Sequence, residues 1–137
     1  MEQKFLASRI SKINFEINEF FKPEGEVQLT PSFNREVKKQ TDGNNVVVIL
    51  RFSLKSTVEK PLPFNIFIEA SALFSVEFED EFQEKKFYAE TTKYLYQNIS
   101  SVLLQLTQNA GMPPYNLPVL TQNLFPEDNF VVSGNND

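Results

Sequence analysis

From Leu62 to Phe78 every even position is apolar: Leu62, Phe64, Ile66, Ile68, Ala70, Ala72, Phe74, Val76 and Phe78. The odd positions between them include Asn65, Glu69, Ser71, Ser75 and Glu77. Successive side chains of a strand point to opposite faces, so this alternation predicts one long strand with one face buried. A bend is expected near Ala70 to Ala72. Phe67 and Leu73 break the rule, since they fall on the otherwise polar face. Apolar exceptions on a solvent face mark a contact surface.

Three further strands precede it. Ile13, Phe15 and Ile17 alternate with Asn14, Glu16 and Asn18, a half-buried strand. Lys22-Pro23-Glu24-Gly25 is a turn signal. A weaker alternation, Val27 and Leu29 and then Phe33 to Val37, is interrupted by Pro31. Proline removes a ladder donor, so this strand belongs at a sheet edge or is bulged. Thr41-Asp42-Gly43-Asn44-Asn45 is a hairpin turn, because Asp-Gly and Asn supply the positive φ such turns need. The strand after it runs Val46 to Lys55; Val47 and Ile49 make its start apolar on both faces, which predicts local burial on both sides.

A charged connector, Glu79-Asp80-Glu81 with Glu84-Lys85-Lys86, leads to a helix expected over Tyr88 to Ala110. Leu95, Ile99, Val102, Leu103, Leu106 and Ala110 form its apolar stripe, and Tyr94 and Tyr96 point away from the centre of that stripe. Thr91 or Thr92 is the candidate N-cap, although the preceding charged residues can extend the helix. Gly111 suits the left-handed C′ position, and Pro113-Pro114 forbid continuation. An extended apolar crossover, Asn116-Leu117-Pro118-Val119-Leu120, then leads to a short second helix over Thr121 to Phe125. The expected class is α+β: a four-stranded antiparallel sheet packed against one long helix. Residues 1–126 form the single domain, and 127–137 a polar, flexible tail.

Composition removes most chemistry. Among the 137 residues there is no cysteine and no histidine, so no Cys–His nucleophile, no His/Cys zinc site and no disulfide is possible. The acidic pairs Glu24/Glu26, Glu77/Glu79 and Asp80/Glu81 read as solvated faces, and Ser100-Ser101 lies mid-helix near no base. The four glycines have no phosphate-cradling spacing. A non-enzyme without cofactor or metal is expected. A net charge of −5 argues against nucleic-acid binding. Met1 to Lys12 is charged and lacks the apolar core of a signal peptide, and no run is long enough to span a bilayer, so a cytoplasmic protein is expected.

What remains is apolar surface. The helix stripe and the even sheet face suffice for a monomer core. Phe67, Leu73, Tyr94, Tyr96, Tyr115 and the crossover residues are left over, for burial in an oligomer or under an extended apolar peptide.

The order of long strands, one long helix, a Pro-bracketed crossover and a final short helix resembles the bacterial export chaperone SecB. Asn116-Leu117-x-Val119 followed by Leu124-Phe125 is similar to that family's crossover-to-second-helix signature, with Pro118-Val119 at its Pro-Val step. The resemblance spans roughly residues 5 to 126 and points to a divergent member. It implies an ATP-independent chaperone, a dimer of dimers, that holds preproteins unfolded and hands them to the export motor. Carried over by position, Leu117, Val119, Leu120, Leu124 and Phe125 line a peptide groove. Phe67 and Leu73 are added as its floor from the strand pattern alone. The implied partners are unfolded polypeptides or preproteins, the export motor and further copies of the chain. A dedicated module for one partner, such as the tail of an antitoxin, is the alternative.

Overall fold

The computed structural model describes residues 2–22 and 29–128. Four strands precede one helix: β1 (Glu2–Ile17), β2 (Ser32–Lys39), β3 (Asn45–Leu54), β4 (Phe64–Glu77) and α1 (Glu81–Asn109), with a 3-10 turn at Pro126–Asp128. The strands form one antiparallel sheet in the order β1-β4-β3-β2. The expected class is therefore the observed one, and β2, which starts at Ser32 just after Pro31, lies at a sheet edge, one of the two alternatives the proline left open. The turn residues Pro23 to Gly25, and Val27, lie outside the described residues.

The alternation of β4 is realised in full. Its even residues from Phe64 to Val76 are all buried, with Ile68 and Ala70 inaccessible. They share a face with Val48, Leu50, Phe52 and Leu54 of β3, because directly paired residues point the same way. Leu95, Ile99 and Leu103 of α1 close this face with no exposed surface of their own. The hairpin between β2 and β3 turns where expected: Gln40 donates its backbone N–H to Asn45, and Gly43 sits at φ +152.

β1 is longer than its readable alternation. It runs from Glu2 to Ile17, with register shifts between Phe5 and Ala7 and between Ile10 and Lys12. Each bulge inserts an unpaired residue, Leu6 and Ser11, and resets which positions face the helix. That is why the period of two is visible only over the last stretch.

The helix also exceeds its expectation. It begins at Glu81, where the Asp80 carboxylate caps it by accepting the backbone N–H of Gln83 at 2.8 Å. Thr91 and Thr92, the sequence candidates for the cap, are buried well inside the helix. Tyr96 is buried as well, contrary to its expected position off the stripe. The C-terminus follows expectation. Met112 N–H reaches Thr107 O and Gly111 N–H reaches Gln108 O, a Schellman closure with Gly111 at φ +74. A β-carbon on Gly111 would meet no atom within 4 Å. Gly111→Ala therefore carries only the backbone cost of the left-handed conformation, and is expected to lower stability by about 1 kcal/mol in urea titration with an unchanged m-value.

Two differences concern the end of the chain. Thr121 to Phe125 is not a helix: the crossover continues without regular structure until the 3-10 turn at Pro126–Asp128. Asp128, assigned to the flexible tail 127–137 by its polarity, is buried; residues 129–137 of that tail lie outside the described residues.

Candidate functional site

The segment from Met112 to Phe125 is a strap laid over the helix side of the molecule. It has no ladder to satisfy its backbone, so side chains do that work. The buried Thr107 hydroxyl donates to Leu103 O at 3.0 Å and accepts the backbone N–H of Tyr115 at 3.1 Å. The Tyr96 hydroxyl donates to Pro118 O at 2.6 Å. Burial pushes the Tyr96 and Tyr115 hydroxyls above their ordinary pKa. Leu117 plugs into the core, while Val119, two residues on, is 89% exposed. Between strap and helix lies a cleft of about 180 Å³, lined by Tyr96, Gln97, Ser100, Leu117, Val119 and Leu120 among others.

The far end of the strap is fixed by an ion pair that sequence reasoning missed. Arg35 lies on the helix side of β2, paired with Leu50. Its guanidinium donates to both Asp128 oxygens, at 2.6 and 2.9 Å, and to the Thr92 hydroxyl at 2.9 Å. Thr92 donates in turn to Tyr88 O at 2.6 Å. The Phe125 ring lies 4.9 Å from the guanidinium carbon. The two charged side chains are 12% and 4% exposed. Nearby, Lys39 and the Tyr88 hydroxyl both donate to Glu84; the Lys39 bond is the main reason its carboxyl lies below the ordinary range. Burial, then the bond to Glu84, drives the Tyr88 hydroxyl strongly upward.

Among the described residues, no helix covers the opposite sheet face. Phe67 and Leu73 lie there, opposite in parity to the buried residues of β4. Phe67 sits under the Lys12 ammonium at 5.9 Å, and Leu73 pairs across with Ala7 and Val47. The face is crossed by a charge network. Arg51 donates to Glu36 and to Glu69, both at 2.8 Å, and the Ser11 hydroxyl donates to Glu69 at 2.8 Å. The Arg51 bond holds the Glu36 carboxyl below its ordinary pKa; the Ser11 bond, then Arg51, does so for Glu69. Depressed carboxylates stabilise the fold above their unfolded values and lose that contribution as pH falls through the folded ones. The stability gap between the wild type and Arg51→Met is therefore expected to shrink as pH drops from about 6 to about 3, in urea titrations at low salt.

A third apolar feature is the outer edge. Phe5, Ile13 and Ile17 of β1 face the helix side of the sheet, yet each is about half exposed, because the helix packs mainly on β3 and β4. Tyr94 borders them, bonded to the Ser8 hydroxyl at 3.0 Å. With Phe74 and Phe87, Phe5 and Tyr94 line a cleft of about 300 Å³.

Of the residues expected to form one groove, Leu117, Val119 and Leu120 line the cleft between strap and helix, whereas Leu124 and Phe125 pack against the core outside that lining, Phe125 beside Arg35. Phe67 and Leu73 sit on the other face of the sheet, so they do not form the floor of that groove. Among the described residues no group of three or more acidic side chains is placed to hold a metal ion, and no helix is long and apolar enough to cross a membrane.

No protein-family model matches the chain, and no curated protein matches it. Among solved structures, the chain is similar to the Mycobacterium tuberculosis SecB-like chaperone Rv1957, determined in complex with a ChAD peptide from the Rv1956 HigA1 antitoxin. Identity is 22%, the alignment covers 89% of this chain and 93% of that one, and the TM-score is 0.70. A Streptococcus agalactiae protein of unknown function aligns at 8% identity over 86% of this chain and 98% of that one, with a TM-score of 0.44, too low to argue from. The first likeness establishes the architecture: the chain has the SecB-like α+β fold.

Proposed function

We propose that this protein is an ATP-independent, holdase-type chaperone that binds extended apolar segments of unfolded polypeptides along its strap. The observation that carries this reading is the cleft between strap and helix, with Leu117 anchored beneath and Val119 standing exposed at its rim. An isolated exposed valine is ordinary; one beside Leu120 and an apolar cleft, on a strap held mostly by side chains, offers a surface that a client can cover. Binding needs no chemistry. Apolar area leaves water at about 25 cal/mol per Å², and folded proteins have no extended apolar segments left to contribute. The SecB-like Rv1957, solved with a peptide on it, supports peptide capture by this architecture.

Self-association belongs to the same reading. The half-exposed ledge of Phe5, Ile13 and Ile17 lies on an edge strand, where another copy would cover both the apolar side chains and the free ladder. Clients in the cytoplasm, unfolded preproteins among them, and delivery to an export motor are the finer expectations of this reading. A second reading, a module dedicated to one partner, is favoured by the fact that the peptide on Rv1957 comes from a single antitoxin.

The test is capture of several aggregation-prone proteins, unfolded and folded, read by co-elution on a sizing column with light scattering. A holdase takes several unfolded clients and none of their folded forms. Val119→Ser with Leu120→Ser should weaken capture by about tenfold or more without changing the oligomer. An oligomer that takes no unfolded client removes the holdase reading and leaves the dedicated module.

A further inference from the structure

Arg35 is a guanidinium fork in a shaped site: two carboxylate oxygens in front, the Thr92 hydroxyl at its side and an aromatic ring stacked on it. Bidentate geometry of this kind suits carboxylates and phosphates alike, and here a carboxylate fills it. Its ligand comes from the 3-10 turn that ends the strap, Asp128, brought to the same side as Phe125 three residues earlier. Asn123 supports the turn by donating to Asp128 O at 2.9 Å. The strap's end is thus held as a bound peptide is held, through an acid and an aromatic side chain.

Lifting it has a specific consequence. Withdrawing Asp128 strands a mostly buried guanidinium without a counter-charge, which is strongly unfavourable. An exchange avoids that state: an incoming carboxylate takes Arg35 as Asp128 leaves.

We propose that Arg35 and Thr92 form a carboxylate-recognition site, occupied by Asp128 in the free protein and by an acidic side chain of the bound polypeptide in the complex. The favoured ligand carries an aromatic residue three positions before an Asp or Glu, so that its ring replaces Phe125 over the guanidinium. This inference rests on the strap being the peptide-binding element, and adds to it a preference for acidic–aromatic segments and a latch that opens by exchange.

The probes are a capped peptide Leu-Phe-Pro-Glu-Asp, copying residues 124–128, and its amide counterpart Leu-Phe-Pro-Gln-Asn. Removing the internal competitor frees the site, so the acidic peptide should bind Asp128→Ala about tenfold tighter than wild type, by calorimetry. The amide peptide should bind neither protein, and adding Arg35→Met should abolish the gain. Relative to chloride at equal ionic strength, acetate should raise the melting temperature of Asp128→Ala by more than it raises that of the wild type. Asp128→Asn gives the same readings if Asp128→Ala does not fold. Equal binding of acidic and amide peptides, or a gain that survives Arg35→Met, would overturn the proposal. If these variants still capture unfolded clients while ignoring the acidic peptide, the carboxylate site falls and the holdase reading stands. Tight acidic-peptide binding with no client captured supports the site and removes the holdase instead.

Discussion

Asp128→Ala is expected to cost about 3–5 kcal/mol of folding stability, the range for breaking one partner out of a buried ion pair. The loss is that large because Arg35 cannot follow its partner into water: it is held on the helix side of β2 beside Thr92. In a domain of this size that lowers the melting temperature by roughly 10 °C or more. The companion variant is informative in the opposite direction. Arg35→Met combined with Asp128→Leu replaces two charges by apolar side chains of similar reach, and should recover most of the loss. The pair is therefore worth little net stability, and its strength lies in what happens when it is half broken. A double-mutant cycle measured by urea denaturation checks this; additive single effects would show that the two groups do not act together.

Phe52→Ala is the second large effect, at about 3–5 kcal/mol. Phe52 is inaccessible at the centre of the sheet, and its ring lies 5.3 Å from that of Phe33. Phe33 in turn lies 5.5 Å from Tyr96, whose hydroxyl holds the strap at Pro118. Truncating the first ring removes support from the whole stack. Two readings are expected together: global destabilisation in urea, and faster amide exchange in the strap at Tyr115 and Leu117 than the global loss alone explains. Ile68→Val, which removes one methylene from Phe52's buried partner on β4 and leaves all three rings in place, should cost about 1 kcal/mol and leave strap exchange in proportion.

The parts of this fold that could be read in the sequence are those governed by local rules. The even residues of β4 follow the pleat without interruption, the Asp42-Gly43 turn and the Gly111 cap sit where backbone sterics put them, and Pro31 marks an edge. The misreadings have equally physical causes. Bulges at Leu6 and Ser11 disguised most of β1 by shifting its parity twice. The start of the helix was readable from Asp80-x-x-Gln83, a capping pattern hidden within a charged run that resembles a connector. Tyr96 looked exposed on a helical wheel because the strap, which buries it, has no periodicity of its own. Phe67 and Leu73 were placed on the right strand face, but nothing local says on which side of the sheet the strap will lie. Arg35 and Asp128 are 93 residues apart and meet only through the tertiary fold. A basic residue on the helix-facing parity of β2, beside Phe33 and Val37, was the one available signal that a buried acid had to exist somewhere.

The strand order has a consequence for how the chain is made. Of the four described strands β1 leaves the ribosome first, yet its one neighbour among them is β4, the last of the four to be synthesised. At about 5–20 residues per second, a strand bearing Phe5, Leu6, Ile10, Ile13, Phe15 and Ile17 waits several seconds with neither edge paired. During that interval β2 and β3 can close their hairpin, but β1 can only stay solvated or find another chain. The nascent protein thus displays an unpaired apolar strand, the same kind of surface it is proposed to recognise in others.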